Sequence, residues 1–191
     1  MKSIVMGGAT QLNKSSDSQV LQFGDAQLGY YGLVKGVDFL TLAEAVSISG
    51  INFGGNNPAV GADDWFKFAY QGKILYVAKQ PLRSNMSRDQ LAGKSLLDGK
   101  TVTVRGKQYS MKSMIFAEWQ ALMYHVHADH PSSATPWANL STEEMGLNYC
   151  GTITRTASQA IGYRSITQSG NITSSLVAAT RGWRPMLELI G

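Results

Sequence analysis

A chain of 191 residues, 43% hydrophobic and 16% charged, has the balance of one ordinary globular domain or two small ones, which excludes disorder along its whole length. No run of about 18 uncharged apolar residues occurs, so neither a spanning helix nor a secretory leader is expected, no membrane partner is expected, and the mature chain is expected to be the encoded one. The net charge of +4 comes from 17 basic and 13 acidic residues that are scattered rather than blocked, the opposite of the one-sided basic face that tracks nucleic-acid phosphates.

The first 61 residues are poor in charge and rich in Gly, Ser and Gln, and read as an extended N-terminal arm and packing region ahead of an α+β globular domain over 62–191. Within it, Gly29 and Gly32 surround Tyr30 and Tyr31, a pattern of a bent strand or extended arm in which glycine allows close backbone approach. Tyr30, Tyr31 and Trp65 read first as core, and Tyr30 and Tyr31 are also the candidates for an interchain contact. Thr41 and Glu44 have capping-box spacing ahead of a helix of about two turns, with Gly50 as its stop. Residues 51–61, with Gly54, Gly55, Asn56, Asn57 and Pro58, read as a loop.

Trp65-Phe66-Lys67-Phe68-Ala69-Tyr70 and Lys73-Ile74-Leu75-Tyr76-Val77-Ala78-Lys79 are β-prone runs separated by Gln71-Gly72, the spacing of a tight hairpin. Phe66 and Phe68 fall on one face and Trp65 and Lys67 on the other, so both faces are expected to meet protein. Lys79 to Arg88, the densest basic cluster, reads as a solvated face or structural ion pairs. Ser87 and Gln90 open a short helix through Leu91. A second hairpin is predicted over Thr101–Arg105 and Gln108–Met111, with Gly106-Lys107 as its turn.

Phe116, Trp119, Leu122, Met123 and Val126 recur at spacings of three and four and predict a helix with one core face. Ser141 and Glu144 mark a helical turn. Thr152–Arg155 and Ile172–Ala178 read as short strands around a polar loop, Ser158–Gly170. The end, Trp183 to Ile190, reads as a final strand that Pro185 confines to an edge or a bulge, with Trp183 and Arg184 expected to stack or pair and so hold it. The sum is an α+β fold with a mostly antiparallel sheet, β-hairpins and two or three short helices.

One motif points to a different chemistry. His125-Val126-His127-Ala128-Asp129-His130 matches the H-x-H-x-D-H pattern with which metallo-β-lactamase-like hydrolases hold zinc and activate water. Those enzymes take further ligands downstream, another histidine and a bridging aspartate. From Pro131 to Gly191 this chain has no histidine and no aspartate, only Glu143, Glu144, Glu188 and the terminus. The favoured reading is a polar helix end and its exit loop, with no metal and no cofactor; a small zinc-dependent hydrolase built on His125, Asp129 and His130 is the alternative. Cys150, the single cysteine, excludes an internal disulfide framework and reads as an inert thiol. Gly7-Gly8 and Gly54-Gly55 lack the lysine and spacing of a phosphate loop, Asp63-Asp64 reads as a solvated turn, and sequons such as Asn171-Ile172-Thr173 carry no glycan without a secretion signal.

Assembled in order, the motifs resemble a family of uncharacterised virion structural proteins of tailed bacteriophages. The resemblance rests on Phe23-Gly24-Asp25 leading to Gly29-Tyr30-Tyr31-Gly32 with Val34, on Trp65-Phe66-Lys67-Phe68, on Gly72 to Lys79 with Pro81-Leu82-Arg83, on Glu118-Trp119, and on the ending Gly182-Trp183-Arg184-Pro185-Met186-Leu187-Glu188-Leu189. It implies a particle component, not an enzyme: a tail, neck or fibre appendage, or a capsid decoration. Its partners would be copies of itself, as a trimer or larger ring, neighbouring virion proteins and the host surface. Glu118-Trp119 and Trp183-Arg184-Pro185 are also similar to segments of C-type-lectin-like and formylglycine-generating-type domains. Residues 157–170 contain no Asp, Glu or Asn, so calcium-dependent sugar binding through those loops is not expected.

Overall fold

Two hairpins, each closed by a two-residue turn whose residues both take left-handed backbone angles, make up much of the larger sheet. The computed structural model describes residues 19–52, 64–131, 135–147, 151–155, 159–161, 165–167, 169–171 and 178–191. Gln71 and Gly72 have φ of 52° and 74°, and Arg105 and Gly106 have φ of 49° and 79°. Such turns twist in the same sense as the strands they join, and glycine takes the second position without steric cost. The second turn therefore falls on Arg105-Gly106, one residue before the expected Gly106-Lys107, because Gly106 is needed where Gly72 sits in the first.

In chain order the elements are strands β1 (Phe23–Gly24) and β2 (Leu28–Val34), helix α1 (Leu42–Ser49), strands β3 (Trp65–Tyr70), β4 (Lys73–Ala78) and β5 (Arg83–Met86), helix α2 (Arg88–Ala92) and strands β6 (Lys100–Val104) and β7 (Lys107–Lys112). Helix α3 (Phe116–Leu122) follows, then β8 (Gly151–Ile153), β9 (Gln159–Ile161), β10 (Ser169–Asn171), β11 (Ala178–Trp183) and β12 (Met186–Leu189). The fold is α+β with a mostly antiparallel arrangement. One sheet has seven strands in the order β1-β2-β3-β4-β12-β7-β6, and the other has five in the order β10-β9-β8-β11-β5. Only the β8–β11 pair is parallel among the described ladders.

Local signals explain the helices. Thr41 caps α1 and exchanges bonds with Glu44, while Gly50, at φ 69°, ends it in a left-handed conformation. Ser87 and Gln90 form the same reciprocal box at the start of α2. These bonds satisfy amide donors that the first helical turn leaves open. Helix α3 stops at Leu122 and tightens into a 3-10 turn over Met123–His125, so the helical period predicted to Val126 holds in its buried face and not in its hydrogen bonding.

The ending corrects the prediction of one terminal edge strand. Trp183 closes β11 in the smaller sheet, and Met186 opens β12 in the middle of the larger one, between β4 and β7. Pro185 lies in the crossover between them, where no ladder amide is required and its carbonyl accepts from the Ala78 N–H at 3.1 Å. Proline is compatible with a central strand here because it stands just before it. In the stretch read as a polar loop, β9 and the start of β10 occur instead. Residues 172–177 lie outside the described residues, as do Gly7-Gly8, Gly54-Gly55, Asp63 and Cys150.

Two apolar clusters lie on the two faces of the larger sheet. One joins Trp65, Tyr76, Tyr109 and Leu187 to Phe39, Leu40, Leu91, Ile153 and Trp183, and so lies between the two sheets and helices α1 and α2. The other joins Tyr30, Phe66, Phe68, Leu75 and Met186 to Trp119, Leu122, Val126 and Trp137 of the α3 region. Strand β3 contributes to both faces, as its alternation predicts. Of the first 61 residues, the described part, 19–52, belongs to this same body: β2 pairs with β3 along its length, and Phe39 and Leu40 are 1% and 2% exposed.

Candidate functional site

The segment singled out for an interchain contact is a bulged strand. Tyr30 lies opposite Phe68 and Gly32 opposite Lys67, so Tyr31 is the extra residue. A bulge re-phases the alternation of a strand, and here it returns Leu33 to the face that holds Tyr30. The Tyr30 ring packs among Phe66, Phe68 and Trp137, and burial pushes its phenol up to about 12. Tyr30 is 4% exposed, the core position read first for it, and its surface is taken up within its own chain. Tyr31 is half-buried on the other side, with the Lys67 ammonium 4.8 Å above its ring.

Tyr31 also lines a groove of about 410 Å³ bounded by Gln19–Gln22 on one side and Leu33, Val34, Lys35 and Asp38 on the other. The groove opens where β1 stops following β2: the ladder covers only Phe23↔Tyr30 and Gly24↔Gly29. Beyond it the Gln19 side-chain amide donates to the Leu33 carbonyl at 2.9 Å. Val20, which lines the groove, and Phe23 and Val37 in the same stretch of chain are 73%, 40% and 69% exposed. Sequence reasoning missed them; the available signal was three large apolar residues in a polar context, with Val37 between Gly36 and Asp38.

The histidine segment is built as a brace. The His125 ring stacks on Trp137 at 4.1 Å and its Nδ1 lies 2.6 Å from the Thr135 carbonyl. His127 is 1% exposed. Its Nδ1 accepts the Asp129 amide at 2.9 Å, which assigns the ring proton to Nε2, 3.1 Å from the Thr142 hydroxyl. Burial pushes the His127 imidazole below its usual range, against the pull of Asp129, so the ring is neutral at pH 7. His130 Nδ1 lies 3.1 Å from the Pro131 carbonyl. Among the described residues no group of three His, Cys, Asp or Glu side chains converges on one point. His125, Asp129 and His130 are adjacent in sequence and do not form a ligand set there.

Three charged junctions hold the elements in place. Arg184 is fully buried and donates to the carbonyls of Ala78, Lys79 and Met145 and to the Thr152 hydroxyl. Its guanidinium lies 5.5 Å over the ring of Trp119, not over Trp183 as expected from their adjacency; a neighbour along a strand points to the opposite face. Trp119 of α3 and Arg184 of the crossover to β12 thus meet in space. Glu118 accepts the Ile115 amide at the start of α3 and pairs with Arg155 at 3.1 Å. Glu188, in β12, bridges Lys73 at 2.5 Å and Lys112. Burial alone would push the Glu188 carboxyl up, but the hydrogen bonds and charges of Lys112 and Lys73 outweigh it and hold it below the usual carboxylate range.

The Lys79 to Arg88 cluster is structural in part: Arg83 donates to the Asn52 carbonyl at 2.9 Å and Arg88 to the Arg155 carbonyl at 3.2 Å. Asp64 pairs with Lys35 at 2.8 Å, and Lys35 remains 67% exposed. No helix among the described residues is long and apolar enough to cross a membrane. No family model, no curated protein and no solved structure matches the chain.

Proposed function

We propose that this chain is a structural component of a bacteriophage particle, an appendage or capsid decoration that works by contact with copies of itself and with neighbouring virion proteins and does not transform a substrate. The observation that carries the reading is the groove beside β2, lined in part by the exposed Val20, with Phe23 and Val37 also exposed in the same stretch of chain, on a sheet packed on both faces. A stiff body with an apolar contact edge is suited to assembly, because little conformational entropy is lost when the edge is covered.

The zinc-hydrolase alternative has less support, since each histidine of the cluster already has a partner within the chain. The test is to purify particles from cells that produce the protein, search them for the chain by mass spectrometry, and locate it with a labelled antibody in electron micrographs. A fixed position and copy number on the particle is expected. A chain absent from particles that carries stoichiometric zinc and loses hydrolytic activity in His127→Ala would replace this reading with the hydrolase.

A further inference from the structure

We infer that His127 is an acid-sensitive fastening, one whose charged ring releases residues 135–142 from the turn that carries the histidines, whether or not the chain belongs to a particle. The three histidines use their rings differently. His125 Nδ1 and His130 Nδ1 face the carbonyls of Thr135 and Pro131. A carbonyl only accepts, so each of these nitrogens donates, and a charged ring donates as readily as a neutral one. His127 Nδ1 instead accepts the Asp129 amide, and its Nε2 faces the Thr142 hydroxyl. A charged imidazole has no acceptor left. On protonation its new N–H would point at the Asp129 N–H, at a residue 1% exposed, where neither donor reaches water.

Around His127 the two segments join through backbone bonds: Trp137 N–H to the His125 carbonyl at 2.7 Å, Ala128 N–H to Leu140 at 2.8 Å and Leu140 N–H to Val126 at 3.1 Å. The joined segment lays Trp137 against Tyr30 and Phe68, and so covers part of the aromatic face of β2 and β3. Beyond it Arg184 holds the Met145 carbonyl, where the release ends. In its own turn His127 has Asp129, whose charge favours the charged ring, and His125 and His130, whose charges would oppose it. The facing segment brings Glu143 and Glu144, the latter bonded to Ser141 and acted on by Lys79. Helix α3 brings Glu118, paired with Arg155, and the crossover brings Arg184. Burial outweighs the pull of Asp129 and holds the imidazole below its usual range. The stabilisation from a neutral His127 is therefore full above the unfolded value near about 6.5 and is lost as pH falls through the folded value.

Hydrogen exchange of the full chain, read by mass spectrometry from about pH 7.5 to about pH 5 with a chelator present and corrected for intrinsic rates, tests this. Peptides covering 135–142 are expected to lose protection by about tenfold or more in acid, while those of β3 and β4 keep theirs. His127→Asn, which keeps an acceptor and a donor but does not titrate, should make the protection of 135–142 independent of pH. His130→Asn should leave the acid response in place. Protection of 135–142 that is constant with pH, or a loss that persists in His127→Asn, would overturn the fastening. If His127→Asn proves unfolded by circular dichroism, the wild-type ring decides by nitrogen-15 NMR: His127 is expected to charge over the pH range in which the segment opens, and a ring that stays neutral through the opening would overturn the assignment.

Discussion

The seven-stranded sheet draws six of its strands from chain neighbours paired in order, β1 to β4 and β6 to β7, whereas the five-stranded sheet joins one such run, β8 to β10, to β11 and to the distant β5, which come from residues 83 to 183. The first is organised by short turns and cross-strand ladders. The second is tied in by side chains that reach backbone: Arg184 to Ala78, Lys79 and Met145, Arg88 to Arg155, and Trp119 Nε1 to the Ile166 carbonyl at 2.9 Å. Irregular segments leave carbonyls without ladder partners, and a buried polar group without a partner is costly. A guanidinium with five donors answers several of them at once. Strand β12 connects the two regimes, since it follows β11 by two residues and inserts between the hairpins.

The comparison breaks most sharply at Arg184. Arg184→Ala removes hydrogen bonds from a charged donor to four acceptors, each worth roughly 1.5 to 3 kcal/mol before relaxation. Urea unfolding should show a loss of about 4 kcal/mol or more, and Arg184→Lys should recover only part of it because an ammonium cannot reproduce the planar fork. A loss below about 1 kcal/mol would mean that the smaller sheet is held by packing alone.

Glu188→Gln tests the charged link inside the larger sheet. It leaves Lys112, 8% exposed, without its carboxylate, and a loss of about 2 to 3 kcal/mol at pH 7 is expected from a partly buried pair. The sign with pH follows from the lowered carboxyl of the folded state: its stabilisation is full above the unfolded value near about 4.3 and is lost as pH falls through the folded value. The gap between wild type and Glu188→Gln should therefore narrow on acidification, and a constant gap across an acid titration would refute the pairing.

Smaller effects sharpen the claim that turns organise the hairpins. Gly72→Ala and Gly106→Ala meet no heavy atom within 4 Å of the added carbon, at φ of +74° and +79°. Only backbone strain is then added, about 1 to 2 kcal/mol for each, and the two costs should be similar. Thr41→Ala removes the cap of α1 and should lower stability by about 1 kcal/mol, read from the thermal midpoint.

Much of the framework was legible because its causes lie within a few residues of one another. Gln71-Gly72 between alternating apolar runs, Thr41 with Glu44, Ser87 with Gln90, and the spacing of Trp119, Leu122, Met123 and Val126 each specify a local geometry that the fold keeps. The Arg105-Gly106 turn was displaced by one residue because strand propensity alone does not say which position needs left-handed backbone. The histidine segment read as a metal motif in one dimension; its geometry depends on Thr135, Trp137 and Thr142, contributed by the chain that follows it.

Sequence by itself determined the hairpins, the capped helices and the α+β character, because dihedral preference and side-chain period act over the span of one turn or one strand. Tertiary structure alone decided that Pro185 marks a crossover between sheets, that β12 is central, that Arg184 meets Trp119 and that Tyr30 packs on Trp137. Each depends on residues distant in the chain, as Arg184 is from Ala78 and Tyr30 from Trp137. Their meeting follows from how the two sheets bury their apolar faces together, and no local pattern carries that information.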